Sequence, residues 1–197
     1  MRSPERESRT QKGYRMRFEN ITVNDRSGEA IELRNAEVQD AAALIEYLKV
    51  TNAESPYLIC EPEEITLSLE QEIEIIKRKE AAERELLLLA FENGRHIGNV
   101  SLMSVGTSVR YKHRCSIAIA LYKEYCGRGI GRIMLGEVLD VAKKTGYTQA
   151  ELEVVTENTG AVHLYESLGF VKCGQLPNSM RYKDGRTVDS FLMVKEL

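Results

Sequence analysis

The stretch Tyr125-Cys126-Gly127-Arg128-Gly129-Ile130-Gly131-Arg132 carries three glycines at alternate positions. Without a Cβ, each lets the backbone approach a ligand closely and reach conformations closed to other residues. Ile130, Met134, Val138 and Val141 then recur at helical spacing, so the loop opens a helix. The unpaired first-turn amides and the positive end of the helix dipole would complete a cradle for an anion such as a diphosphate. Spacing narrows the choice. A dinucleotide-binding GxGxxG needs glycine where Arg132 stands, a kinase-type loop fails for the same reason, and the Gly-Lys-Ser/Thr ending of a Walker loop is absent. A glycine-rich helix start without a ligand is the competing reading.

A second patterned stretch follows one helix and one strand later: Asn158-Thr159-Gly160-Ala161-Val162-His163-Leu164-Tyr165-Glu166-Ser167-Leu168-Gly169-Phe170. Ala161, Leu164, Tyr165 and Leu168 share one helical face, which by pattern alone makes Tyr165 a core residue. Asn158 stands at the N-cap position.

Together the two stretches resemble the GNAT superfamily of N-acetyltransferases. The family's loop reads Arg/Gln-x-x-Gly-x-Gly/Ala; here it is Cys126-Gly127-Arg128-Gly129-Ile130-Gly131, with the glycines in place and Cys126 departing from Arg or Gln. The second stretch is similar to the family's Asn-x-x-Ala-x-x-Leu-Tyr-x-x-x-Gly-Phe. Loop, strand and helix cover residues 113–172 in the right order, about a third of the chain.

The resemblance implies acetyl-CoA as co-substrate, held by Gly127, Arg128, Gly129, Ile130, Gly131 and Arg132 mainly through backbone amides, with Asn158 as a further contact. It implies that Ile119, Ala120 and Leu121 pair with the pantetheine arm as a neighbouring strand would, and that an amide near Leu121 polarises the thioester oxygen. It gives Tyr165 the role of general acid toward the departing thiolate. An attacking amine must also lose a proton. Glu153, set in Leu152-Glu153-Val154, is the candidate base, because partial burial on a central strand would raise its pKa. A surface glutamate paired with Lys or Arg is the alternative. Direct transfer needs neither a metal nor a covalent role for Cys126.

The acceptor would be a small-molecule amine or amino acid, or a protein N-terminus. Its pocket is expected from residues 54–72 and from the hairpin near Met180 to Asp189, where Glu61, Glu63 and Glu64 suit a cationic amine. A non-catalytic acyl-CoA-binding regulatory module is the alternative function.

These residues need elements to hold them. Ile21–Val23 and Ile31–Arg34 flank a turn-rich segment and read as a hairpin. Residues 40–52 and 68–84 read as helices, the second opened by a Ser68–Gln71 capping box and striped by Leu69, Ile73 and Ile76. Asn93-Gly94 joins strands 86–92 and 96–105, because a type I′ turn needs positive φ twice. Strands at 114–122 and 149–155, helices at 129–145 and 158–168, and closing strands at 170–174 and 187–194 complete the order βααβββαβαββ, with an extra strand at the start. The expected fold is α/β: a mixed, mostly antiparallel twisted sheet of about seven strands flanked by helices.

Composition fits that picture. Of 197 residues, 43% are hydrophobic and 29% charged, the balance of one globular domain. Residues 1–15 are charged and aperiodic and are expected to be a disordered basic tail ahead of a single domain over 16–197. The net charge is −3, and an acidic body argues against a nucleic-acid partner. No apolar run reaches membrane-spanning length and no secretory signal opens the chain, so a cytoplasmic protein without a membrane partner is expected. Four separated cysteines give neither a disulfide framework nor zinc spacing. A homodimer is compatible with everything above.

Overall fold

A computed structural model describes residues 16–197; the expected tail, residues 1–15, lies outside them. Eight strands form one sheet in the order β1-β2-β3-β4-β5-β6-β8-β7. They are β1 (Ile21–Asn24), β2 (Ala30–Asn35), β3 (Leu86–Glu92), β4 (Arg95–Ser104), β5 (Arg114–Leu121), β6 (Gln149–Val155), β7 (Val171–Arg181) and β8 (Thr187–Glu196). The helices are α1 (Ala41–Glu54), α2 (Leu69–Ala81), α3 (Ile130–Lys144) and α4 (Thr159–Ser167). Every neighbouring pair is antiparallel except β5 with β6. The eighth strand is the extra one at the start, paired with β2.

Local chemistry set several boundaries as expected. Asn93 and Gly94 take φ of 49° and 78°, the two positive values a type I′ turn requires. Ser68 Oγ accepts from the Gln71 amide at 3.3 Å and Gln71 Oε1 accepts from the Ser68 amide at 2.8 Å, so the capping box closes both ways. Two expectations fail. Leu69 is 46% exposed, while Glu72 and Ile76 are the buried residues of α2. The final hairpin is also longer than its sequence pattern. A bulge between Leu176 and Met180, with Asn178 at φ 53°, carries β7 through Pro177 to Arg181.

The sheet has two differently dressed faces. Ile117, Leu152 and Val154 bury themselves with Met134 and Val138 of α3 and with Val162 and Tyr165 of α4. On the other face Leu44 of α1 and Ile76 of α2 pack on Leu89 and Phe91.

His96 is buried on this second side, 4.7 Å from the Tyr47 ring and 5.6 Å from that of Phe91, centroid to centroid. Its Nε2–H donates to the Gly98 carbonyl at 3.0 Å. Desolvation dominates and pushes the imidazole down to about 4, against an attraction from Asp40; Arg34 across that pair adds to the lowering. A histidine kept neutral in the fold takes up its proton first in the unfolded chain. Its contribution is therefore complete above about pH 6.5 and is lost as pH falls from there to about 4, on the order of 3 kcal/mol in all. Urea midpoints measured from pH 7 to 4 should fall more steeply for the wild-type chain than for His96→Gln. Equal slopes would remove His96 from the acid response.

Candidate active site

Three pairings, Arg114↔Gln149 to Ser116↔Glu151, are all that join β5 to β6. Arg114 seals the last of them with a bidentate ion pair, Nε to Glu151 Oε2 at 2.9 Å and Nη2 to Oε1 at 2.9 Å. Beyond it the strands separate. β5 continues beside β4 as far as Gly98↔Leu121, and β6 continues beside β8 as far as Val155↔Ser190. The Tyr122 amide bonds the Ile97 carbonyl across β4 at 3.1 Å. By strand alternation, Ala118 and Ala120 turn their backbone groups to β4, while Ile119 and Leu121 turn theirs into the gap. The expected trio thus divides: Ile119 and Leu121 edge the opening, whereas the Ala120 carbonyl accepts the Tyr47 hydroxyl at 2.7 Å.

The glycine loop stands at the end of this gap. Gly129 is the N-cap of α3 in left-handed conformation at φ 88°, and Gly127 has φ 80°. Among the described residues, the amides of residues 127 to 131 donate to no protein acceptor, whereas Arg132 and Ile133 already bond the Gly129 carbonyl at 3.1 and 3.2 Å. Five consecutive free N–H groups stand at the start of a 15-residue helix, the arrangement that an anion would need. Gly131 closes the inner wall: a Cβ there would lie 3.4 Å from Leu121, 3.5 Å from Leu164 and 3.7 Å from Ile119. A diphosphate on the amides with an extended arm along β5 fits these residues.

The loop's two arginine side chains serve the fold instead. Arg128 Nε donates to Asp25 Oδ2 at 2.6 Å and its Nη2 to Glu92. Arg132 donates to Ser167 Oγ, tying α3 to α4. What both can offer an anion is their backbone. Hydrogen bonds from Ser27, and next from Arg128, hold Asp25 down to about 2 against its own desolvation. Cys126 is exposed at the loop's start, yet desolvation raises its thiol, which suits a bystander better than a nucleophile.

Tyr165 is 7% exposed, its ring 5.8 Å from Phe170 in an edge-on contact. Burial pushes its hydroxyl up to about 12. Asn158 Oδ1 accepts from the Ala161 amide at 3.3 Å, the expected cap of α4. Glu153 does not have the partial burial expected of it. It lies on β6 past the last β5 pairing, so no strand covers that side, and it is exposed opposite Leu192. By register it shares a face with Glu151, Ser116 and Ala118, the face that carries α1 and α2.

The two segments expected to border an acceptor do meet. Tyr182 Oη donates to the Pro56 carbonyl at 2.8 Å, and Lys183 Nζ lies 2.8 Å from Glu63 and 3.4 Å from Glu61. Glu64 accepts from the Glu61 amide at 2.6 Å. Lys183 thus pairs with two carboxylates of the acidic cluster, which stay exposed. Sequence reasoning missed Tyr47, Arg114 and Glu151. Tyr47 shows only as part of a helical stripe, and the ion pair joins residues 37 apart.

A model of the Acetyltransferase (GNAT) family matches residues 45–170. Among curated relatives, the L-amino acid N-acyltransferase MnaT of Escherichia coli (strain K12) is 28% identical over 111 residues, 56% of this chain and 64% of that protein. The [Ribosomal protein bS18]-alanine N-acetyltransferase of the same strain is 37% identical over 75 residues, 38% of this chain and 50% of that protein. The matched part spans 26% to 64% of the first three curated relatives' own length. A GNAT-family acetyltransferase structure from Streptococcus pneumoniae superposes with a TM-score of 0.81 at 29% identity, covering 85% of this chain and 99% of that one. A phosphinothricin acetyltransferase from Sinorhizobium meliloti, solved with acetyl-CoA, has the same fold: TM-score 0.74 at 20% identity, over 84% and 87% of the two chains. With the family's model spanning well over half its length, this chain belongs to the Acetyltransferase (GNAT) family.

Proposed function

We propose that this chain is an N-acetyltransferase that moves the acetyl group of acetyl-CoA directly to a primary amine. The observation that carries the reading is the run of five free amides, 127 to 131, at the mouth of the gap between β5 and β6. Bound acetyl-CoA would supply an activated acyl group as its thioester. The loop amides and the positive end of α3 would hold its diphosphate. The backbone of Ile119 and Leu121 would align the arm, with the Leu121 amide a donor toward the thioester oxygen. Tyr165 would protonate the departing sulfur. Its hydroxyl is protonated at neutral pH; burial pushes it up to about 12, and transfer stays near balance only if the same desolvation raises the departing thiol.

The amine would arrive from the α1/α2 face, where Glu153 and Ser116 look out beside the gap and where residues 56–63 meet Tyr182 and Lys183. A small amine or amino acid, or a protein N-terminus, fits an opening of this kind; relatives named for each are among those above. If Glu153 takes the amine's proton, Glu153→Gln should lower turnover about 10²-fold, most at low pH, where amine deprotonation controls the step. A variant with the wild-type pH–rate profile would hand that proton to water. The parent reading is tested by titrating coenzyme A into the chain calorimetrically and then assaying thiol release over a panel of amines. Binding with turnover supports it, and binding without turnover over the whole panel would favour a regulatory module.

A further inference from the structure

The added hairpin β1–β2 does more than extend the sheet: its turn is bolted to the glycine loop. The Arg26 amide donates to the Arg128 carbonyl at 2.9 Å. Asp25, its side chain fully enclosed, accepts from the Ser27 amide at 2.8 Å, the Glu29 amide at 3.0 Å and Arg128 Nε at 2.6 Å. Arg128 is gripped at its other end by Glu92. These contacts fix the position of Arg26, the turn residue beside Gly129. A Cβ built on Gly129 would lie 3.0 Å from Arg26 Cγ, 3.3 Å from Cδ and 3.2 Å from Nε, so the Arg26 stem lies directly over the N-cap of α3.

Charge accounting gives this placement a purpose. Arg128 is neutralised by two carboxylates, while Arg132 donates to the neutral Ser167 and is turned toward α4. Arg26 is exposed and forms no ion pair among the described residues. Like Arg132 it keeps an unneutralised charge, but its stem lies over the N-cap of α3 whereas Arg132 is held by Ser167. We infer that Arg26 is a phosphate-binding residue, its guanidinium closing over anionic oxygens held by the amides 127 to 131. The Asp25–Arg128–Glu92 network would then act as a positioning device that sets the turn and the loop at the right separation. This rests on the acetyl-CoA reading above. The phosphate could be the 5′-diphosphate or the 3′-phosphate of the coenzyme.

Arg26→Met keeps the stem over Gly129 and removes only the charged head, so it should fold and melt like the wild type. Calorimetric titration with coenzyme A should give a dissociation constant about tenfold higher, the loss of one charge-assisted contact at a partly solvated site. Arg26→Lys should recover part of the loss. An equal loss with 3′-dephospho-coenzyme A assigns the contact to the diphosphate, and a loss confined to the full coenzyme assigns it to the 3′-phosphate. Unchanged affinity of a folded Arg26→Met for coenzyme A would overturn the inference. No binding by the wild-type chain would overturn the acetyl-CoA reading instead.

Discussion

Phenylalanine at position 165 is expected to cost about 10²-fold in turnover and to leave coenzyme A affinity unchanged. Tyr165→Phe removes one oxygen and keeps the ring, which remains edge-on to Phe170 at 5.8 Å. Among the described residues the hydroxyl makes no hydrogen bond, and burial raises it. Stability should accordingly move by less than about 1 kcal/mol. Tyr165→Ala is a different experiment. It empties a buried ring site beside Val162 and Phe170 and should cost about 3–5 kcal/mol. Melting temperature and turnover measured for both variants separate acid from packing. A stable Phe variant with full turnover would end the acid role and leave Tyr165 as core.

The largest loss of binding is expected at Gly129. With φ at 88°, any side chain there is strained by about 1–3 kcal/mol, and a β-branched one most of all. Its Cβ would also press on Arg26 at 3.0 Å. Gly129→Val therefore distorts the loop, whose amides must converge, and pushes aside the arginine above it. Coenzyme A affinity should fall by about 100-fold or more, the equivalent of two or more charge-assisted hydrogen bonds, with a lowered melting temperature and an unchanged circular dichroism spectrum. Gly136→Ala, on the same helix with nothing within 4 Å of its Cβ, is the control. It should bind normally and gain up to about 1 kcal/mol of stability. Calorimetry that finds the two variants equal would move the anion site elsewhere.

The elements that sequence reasoning placed well are those whose cause is local. A type I′ turn is written in Asn93-Gly94, a capping box in Ser68 and Gln71, and the loop-to-helix switch in the glycines at 127, 129 and 131. What the sequence does not show are contacts with partners distant in the chain. Arg128 and Arg132 stand in a phosphate-binding pattern, but their side chains answer to Asp25 and Ser167, 103 and 35 residues away. Glu153 sits among apolar neighbours in sequence, but its side chain shares with exposed Leu192 a part of the sheet face left in solvent beyond the last β5 pairing. The acids at 61 and 63 are charged in any reading, yet Lys183 pairs with them through a contact 120 residues long for Glu63. Leu69 fails for a different reason. Periodicity defines a stripe but not which side of it meets the sheet, and α2 turns Glu72 inward with Ile76.

On the proposed reading, the acceptor would be chosen where residues 56–63 meet the β7–β8 turn. Both relatives named above act on the amine of an amino acid or of a protein chain by their names. In this chain the two segments are joined by the Tyr182–Pro56 hydrogen bond and by a lysine at the acidic cluster. An acceptor that bound there by its positive charge would have to displace Lys183. One that entered beside Glu153 would not.

The central claim is acyl transfer from a coenzyme A held at the glycine loop. It is tested most directly by incubating the chain with acetyl-CoA and a panel of amino acids, polyamines and short peptides with free N-termini. Free thiol and N-acetylated product are then counted together by absorbance and mass spectrometry. The predicted result is one acetylated amine for each thiol released, with Gly129→Val needing far higher acetyl-CoA to reach the same rate. Bound coenzyme A with neither product across the panel, or thiol released without an acetylated amine, would contradict it.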